Sequence, residues 1–173
     1  TQNPVDQEGT YQLPEAQMDR FLMKLIIGYP SKEDEKIILE RMTGAEMPTA
    51  KSVMEGTDIA RIRKIISEIY VDEKVKMYVL DLIHASRDPE AYQLSNLSPL
   101  IDFGASPRAS IALISAAKAH AFLRHRGYVT PDDIKAVGRD VLRHRIIPSF
   151  EAEAEEVDSQ AIVDRLFSEI EVP

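Results

Sequence analysis

The sequence contains no cysteine and no tryptophan in 173 residues. The first absence excludes disulfides, thiolate metal sites and a cysteine nucleophile, and it fits a reducing compartment. Aromatic residues make up only 6%, so a helical core of Ile, Leu, Val and Ala is expected. No apolar run approaches the roughly 18 residues needed to span a bilayer. The seven glycines are followed by Thr, Tyr, Ala or Arg and never by Lys. A G-x-x-x-x-G-K-[ST] loop, whose backbone N–H groups and lysine cradle phosphates, is therefore missing. So is an apolar strand ending in paired acids that would hold Mg²⁺. Metal spacings such as H-E-x-x-H do not occur, and no nucleophile elbow surrounds a serine.

What is present is an ordinary globular composition, 44% hydrophobic and 29% charged, with a net charge of −8. The length allows one domain or slightly more. The net charge disfavours nonspecific nucleic-acid binding by the whole chain. The charge is uneven, however. Residues 108–145 hold eight Lys/Arg against three Asp, a local +5 that leaves −13 elsewhere. Such a stretch suits an anion or an acidic partner, and equally a set of solvated helix faces. Arg124-His125-Arg126 and Arg143-His144-Arg145 are basic clusters without interleaved aromatics. They read as solvated or subunit-contact residues rather than as a nucleic-acid surface.

In chain order, Leu13–Arg20 reads as a short helix with Pro14 at its first position. Phe21–Ile27 reads as a buried strand, bounded by Gly28 and Pro30. Ser31 caps a helix that runs to about Met42, with Glu33, Asp34 and Glu35 suiting the positive end of its dipole. Residues 44–56 read as a loop. Asp58 is expected to cap a helix with Ile59, Ile62, Ile66 and Ile69 on one face. Asp72 caps the next, with Val75, Val79, Leu82 and Ser86 in register, Leu80 and Ile83 widening the stripe, and His84 beside it as a packed or partly exposed residue. Residues 88–106 form an irregular connection pinned by Leu94, Leu97, Leu100 and Ile101. Ser106 and Pro107 open a long helix to about Arg126, with Ile111, Ile114, Ala117 and Ala121 as its stripe and Gly127 as its stop. Thr130-Pro131-Asp132-Asp133 opens another, with Ile134, Val137 and Val141 inward. Pro148 ends that region. Glu151–Glu156 is a solvated acidic run. Asp158 caps a last helix with Ile162, Leu166, Phe167 and Ile170 on its inner side.

Three stretches carry a resemblance. Thr1-Gln2-Asn3-Pro4 … Gly9-Thr10-Tyr11 … Leu13-Pro14-Glu15-Ala16-Gln17-Met18-Asp19-Arg20-Phe21 resembles the second half of a MoxR-family AAA+ ATPase core. Gly104-Ala105-Ser106-Pro107-Arg108-Ala109 resembles that family's sensor 2 segment. Gly127-Tyr128-Val129-Thr130-Pro131, Asp140–Arg145 and the acidic Glu151–Glu155 follow in the family's order. The resemblance implies a mainly α fold: a helical lid domain, residues 30–173, preceded by a short α/β remnant of the nucleotide-binding core, residues 1–29. Pro30 marks that boundary.

The same resemblance implies roles for three residues. Arg20 would be the arginine finger, acting in trans on a neighbouring subunit's nucleotide. Asn3 would be the sensor 1 residue and Arg108 the sensor 2 arginine. Asp19 is placed beside Arg20 to orient it. For the intact protein the resemblance implies ATP and Mg²⁺, a ring oligomer of six subunits, and chaperone-like remodelling of clients such as von Willebrand factor A domain proteins, in the cytoplasm. Without a P-loop this chain by itself is expected not to hydrolyse ATP and to hold no tightly bound cofactor. Two other classes fit the bare residues: a helical interaction module that never meets nucleotide, and a nucleic-acid binder using residues 108–145.

The physical chemistry agrees with these roles. An arginine offers a planar, permanently charged fork to a phosphate whose charge redistributes during transfer. A cation in the first turn of a helix is disfavoured by the dipole unless an anion approaches, and helix N-termini are themselves anion sites. Arg108 is such a cation.

Overall fold

The computed structural model describes residues 13–44 and 48–173. Asn3 lies outside the described residues. The fold is mainly α, and its contacts separate two units: the chain up to Lys24 together with Glu68–Pro173, and Leu25–Ser67.

The Leu25–Ser67 unit contains helix α2, Lys32–Met42, and all but the end of α3, Gly56–Glu68. Ser31 caps α2 as its composition suggests, its Oγ accepting from the Asp34 N–H at 3.1 Å. Helix α3 begins two residues before Asp58. The Asp58 carboxylate instead reaches back to accept from the Glu55 N–H at 3.1 Å, the reciprocal half of a capping box. Neither helix has a buried residue. The expected strand at 21–27 is absent: these residues are irregular, and Leu25, Ile26 and Ile27 are exposed. A strand needs a partner to satisfy its N–H and C=O groups, and no strand among the described residues pairs with this one.

The larger unit begins with α1, Glu15–Met18. Its core is built by α4, Glu73–Arg87, α5, Pro107–Leu123, α6, Pro131–Leu142, and α8, Ser159–Glu169. Helix α5 packs on α4 and α6, and α8 packs on α4 and α6. Aliphatic side chains fill the space between them, with Tyr78 the largest fully buried residue. Asp72, Ser106 and Asp158 cap α4, α5 and α8 as read from the sequence, each accepting a backbone N–H of the first turn.

Several local expectations are corrected. Leu80 and Ile111 are exposed; Ala117 and Ala121 are buried as expected and Ile114 is half-buried, while α5 also buries Ala109, Ala112, Leu113 and Ala116. An alanine-rich helix has little contrast between its faces, so tertiary packing chose the side that lets α4 and α6 approach. The helix ends at Leu123, and the left-handed residue after it is His125, with φ 56°, rather than Gly127. The connection 88–106 is more ordered than a plain loop. It contains 3₁₀ turns at Glu90–Tyr92 and Ser98–Leu100, then β1, Ile101–Phe103, which pairs antiparallel with β2, Ile147–Pro148. Part of the acidic run is a short helix, α7, Phe150–Ala154, which buries Ala152 and leaves Glu151, Glu153, Glu155 and Glu156 exposed. No helix among the described residues is long and apolar enough to cross a membrane.

Candidate functional site

The site forms where the turn after α1 meets the start of α5 and the end of α6. Gly104 explains why the start of α5 sits where it does. A Cβ there would lie 2.3 Å from the Ser86 carbonyl oxygen and 2.8 Å from the Arg87 Cα, so only glycine permits this approach to the end of α4. The contact is riveted on both sides. The Ala105 N–H donates to Ser86 Oγ at 3.0 Å, and Arg87 Nε donates to the Ala105 carbonyl at 2.7 Å. Ser106 then caps α5 and Pro107 opens it, which places Arg108 in the first turn, two-thirds exposed.

Asp19 is the common partner. Its carboxylate accepts from Ser106 Oγ at 2.9 and 3.0 Å and from Arg108 Nη1 at 3.3 Å. Arg145 Nε lies 3.3 Å away, close enough for charge attraction though not aligned as a hydrogen bond. Arg20, the next residue, is exposed and has no hydrogen-bond or ion-pair partner among the described residues. Asp19 therefore does not hold the Arg20 side chain directly, as its adjacency suggested. It holds the backbone from which Arg20 projects.

Arg143-His144-Arg145 is not the solvated cluster its composition suggests. His144 and Arg145 are buried, and Arg143 pairs with Asp140 at 2.7 Å. His144 Nε2 is 3.1 Å from the Phe21 carbonyl. Because a carbonyl only accepts, Nε2 carries the proton and donates. Burial lowers the His144 pKa, against the pull of that carbonyl bond. Its Nδ1 is buried without a partner among the described residues, which also favours the neutral ring. Burial likewise pushes the Arg145 guanidinium down from its ordinary value, with Asp19 pulling it back up; an arginine stays charged regardless.

A second polar node lies on the far side of the α5–α6 pair. Asp133 is fully buried. It accepts from Arg126 Nη1 and Nη2 at 2.7 and 2.6 Å, from the Thr130 N–H at 2.8 Å and from Thr130 Oγ1 at 2.9 Å, with His120 Nδ1 at 2.6 Å. Burial alone would raise its pKa. The bonds from Arg126, Thr130 and His120 outweigh burial and hold it well below the usual carboxylate range. This node welds α5, the turn and α6 together.

Five of the eight cations in 108–145 are engaged in ion pairs: Arg108, Arg126, Arg139, Arg143 and Arg145. The local positive excess is thus largely neutralised within the fold, which weakens the nucleic-acid reading. Arg20 and Arg108 are both exposed; Arg20 adjoins Asp19 in the chain and Arg108 is paired with its carboxylate.

This geometry places an arginine-bearing turn against the first turn of a helical bundle. Known sequences match both parts. The family described as AAA lid domain matches residues 94–166, and the ATPase family associated with various cellular activities (AAA) matches residues 1–23. Chaperone MoxR1 of Mycobacterium tuberculosis is 40% identical over all of this chain and 46% of its own length. Protein MoxR of Paracoccus denitrificans is 31% identical over 99% of this chain and 54% of its own length. A crystal structure described as "a putative ATPase from Cytophaga hutchinsonii" superposes with a TM-score of 0.95 at 40% identity, over 99% of this chain and 52% of that one. The chain is thus similar over its whole length to MoxR-family proteins and matches AAA family models in two stretches, and it spans about half the length of the curated relatives it matches.

Proposed function

We propose that this chain supplies the lid and the arginine-finger element of a MoxR-type ATPase that hydrolyses ATP between subunits of a six-membered ring. Residues 1–29 are then the end of the nucleotide-binding core and residues 30–173 the lid. Arg20 reaches the γ-phosphate bound by the neighbouring subunit. Arg108 reads the nucleotide in its own subunit, and Asn3 supplies the sensor 1 amide. The observation that carries this reading is the pair of exposed arginines, Arg20, which adjoins Asp19 in the chain, and Arg108, which the Asp19 carboxylate holds at 3.3 Å. A phosphate at Arg108 would also offset the unfavourable meeting of a cation with a helix N-terminus.

ATP phosphates and Mg²⁺ need a P-loop lysine and an apolar strand ending in paired acids, neither of which is read in this sequence. Only Arg20, Arg108 and Asn3 of this chain are assigned to the nucleotide, and the chain by itself is expected to be inactive. Remodelling of client proteins, von Willebrand factor A domain proteins among them, in the cytoplasm follows from the family relationship and belongs to the same proposal.

The test is steady-state ATP hydrolysis by the full-length protein that carries this chain. Arg20→Ala should lower kcat by about 10³-fold or more. Mixing it with a P-loop lysine variant should restore part of the rate, because mixed rings contain interfaces with one good finger and one good P-loop. Parent-like hydrolysis by Arg20→Ala would overturn the finger assignment.

A further inference from the structure

The turn 19–22 is irregular, so its carbonyl groups have no ladder to pair with. The end of α6 provides the pairing. Arg145 Nη2 donates to the carbonyls of Asp19, at 2.9 Å, and Phe21; Nη1 donates to that of Leu22, at 3.2 Å, and to that of Val141 in the last turn of α6. His144 adds a second donor to Phe21, and the Lys24 N–H donates to the Asp140 carbonyl at 2.8 Å. One nearly fully buried guanidinium therefore fixes the backbone on both sides of Arg20, while the Arg20 side chain itself is exposed and has no partner among the described residues. A planar fork suits this task because its donors point in set directions.

Asp19 adds a link to the nucleotide side. Its carboxylate lies between Arg145, which is buried and held by four carbonyls, and Arg108, which is two-thirds exposed and held only at 3.3 Å. That distance is long for a charge-assisted hydrogen bond. An arriving phosphate can draw Arg108 away, leaving Asp19 to Ser106 and Arg145. Arg108, expected to meet the nucleotide of its own subunit, thus shares a carboxylate with Arg145, which fixes the backbone around Arg20.

We infer that Arg145 and Asp19 are positioning residues for Arg20, and that Asp19 makes the placement of Arg20 depend on whether Arg108 is engaged by an anion. The inference rests on Arg20 being the finger. A displacement of about 1 Å at a reacting group costs on the order of 10²-fold in rate. A fault confined to the transition state lowers kcat without raising KM.

The experiment uses the full-length protein with Arg145→Lys and Asp19→Asn, each alone and mixed with a P-loop lysine variant or with Arg20→Ala. Both variants should lose about 10²-fold in kcat with KM for ATP within twofold of the parent. Both should regain rate with the P-loop variant, whose subunits donate an intact finger. Neither should regain rate with Arg20→Ala, since both partners then lack a working finger. Recovery with the P-loop variant also shows that the altered subunits fold and assemble. Parent-like kcat in both variants overturns the inference, as does recovery with Arg20→Ala, which would place the fault in the cis site with Arg108. If neither mixture recovers while Arg20→Ala with the P-loop variant does, the residues are merely structural and the inference fails alone. If that reference pair fails to recover, the finger reading falls and takes the inference with it.

Discussion

Gly104→Ala tests the close approach that sets the start of α5. The added Cβ would lie 2.3 Å from the Ser86 carbonyl oxygen and 2.6 Å from its carbon. Both are backbone atoms inside or at the end of α4, so no side chain can swing aside. Ordinary contact begins near 3.4 Å, so the segments must part by about 1 Å. That movement would stretch the Ala105–Ser86 bond from 3.0 Å and the Arg87–Ala105 bond from 2.7 Å, both out of hydrogen-bonding range. A buried neutral bond is worth about 1 kcal/mol and a partly exposed charged one somewhat more. With residual strain the loss comes to about 2–4 kcal/mol. Urea unfolding followed by far-UV circular dichroism should show this as a lower midpoint at unchanged slope. Gly127→Ala is the control: a Cβ there meets nothing within 4 Å, and the change should stay within about 0.5 kcal/mol. A Gly104→Ala protein as stable as the Gly127→Ala protein would refute the argument.

Asp133→Asn should destabilise the fold by about 2–4 kcal/mol, since the amide cannot accept from every donor around it and leaves the Arg126 charge uncompensated; equilibrium unfolding measures it, and a loss under 1 kcal/mol would contradict the node. For His144 the folded pKa lies below the ordinary 6.5. Between the two values the unfolded chain binds more protons, so stability is complete above about pH 6.5 and declines as the pH falls through the folded value. Unfolding free energies at pH 7.5, 6.5 and 5.5 should show that decline, and His144→Asn should flatten it; an unchanged slope would mean that His144 is not responsible.

What the sequence made legible was local. Ser31, Asp72, Ser106 with Pro107, Thr130 and Asp158 mark helix starts because a cap is decided within three residues. The Val75–Ser86 stripe was readable because apolar and polar residues differ sharply along α4. The α5 stripe was readable only in part: Ala117 and Ala121 are buried but Ile111 is exposed, because alanines look alike on every face. The strand at 21–27 failed because a strand is a pairing, and pairing is not written in one segment. Within the site, Arg20 and Arg108 stand out through family motifs that are local too. The Arg145 clamp does not. Its bond to Phe21 crosses 124 residues, and a basic cluster reads as surface unless its distant carbonyl partners are known. The one hint was its place directly after an amphipathic helix and before Ile146 and Ile147.

Helices α5 and α6 share a closed end and an open end. At the closed end Asp133 locks the turn; at the open end Arg108 and Arg145 meet on Asp19. The pair is a two-tined fork roughly 25 Å long, at 1.5 Å per residue over the 17 residues of α5. Slack at the crotch of a fork is magnified at its tips. A small loosening around Asp133, far from any phosphate, would therefore appear as misalignment between the two arginines, and a mutation there would mimic a fault in the nucleotide site itself.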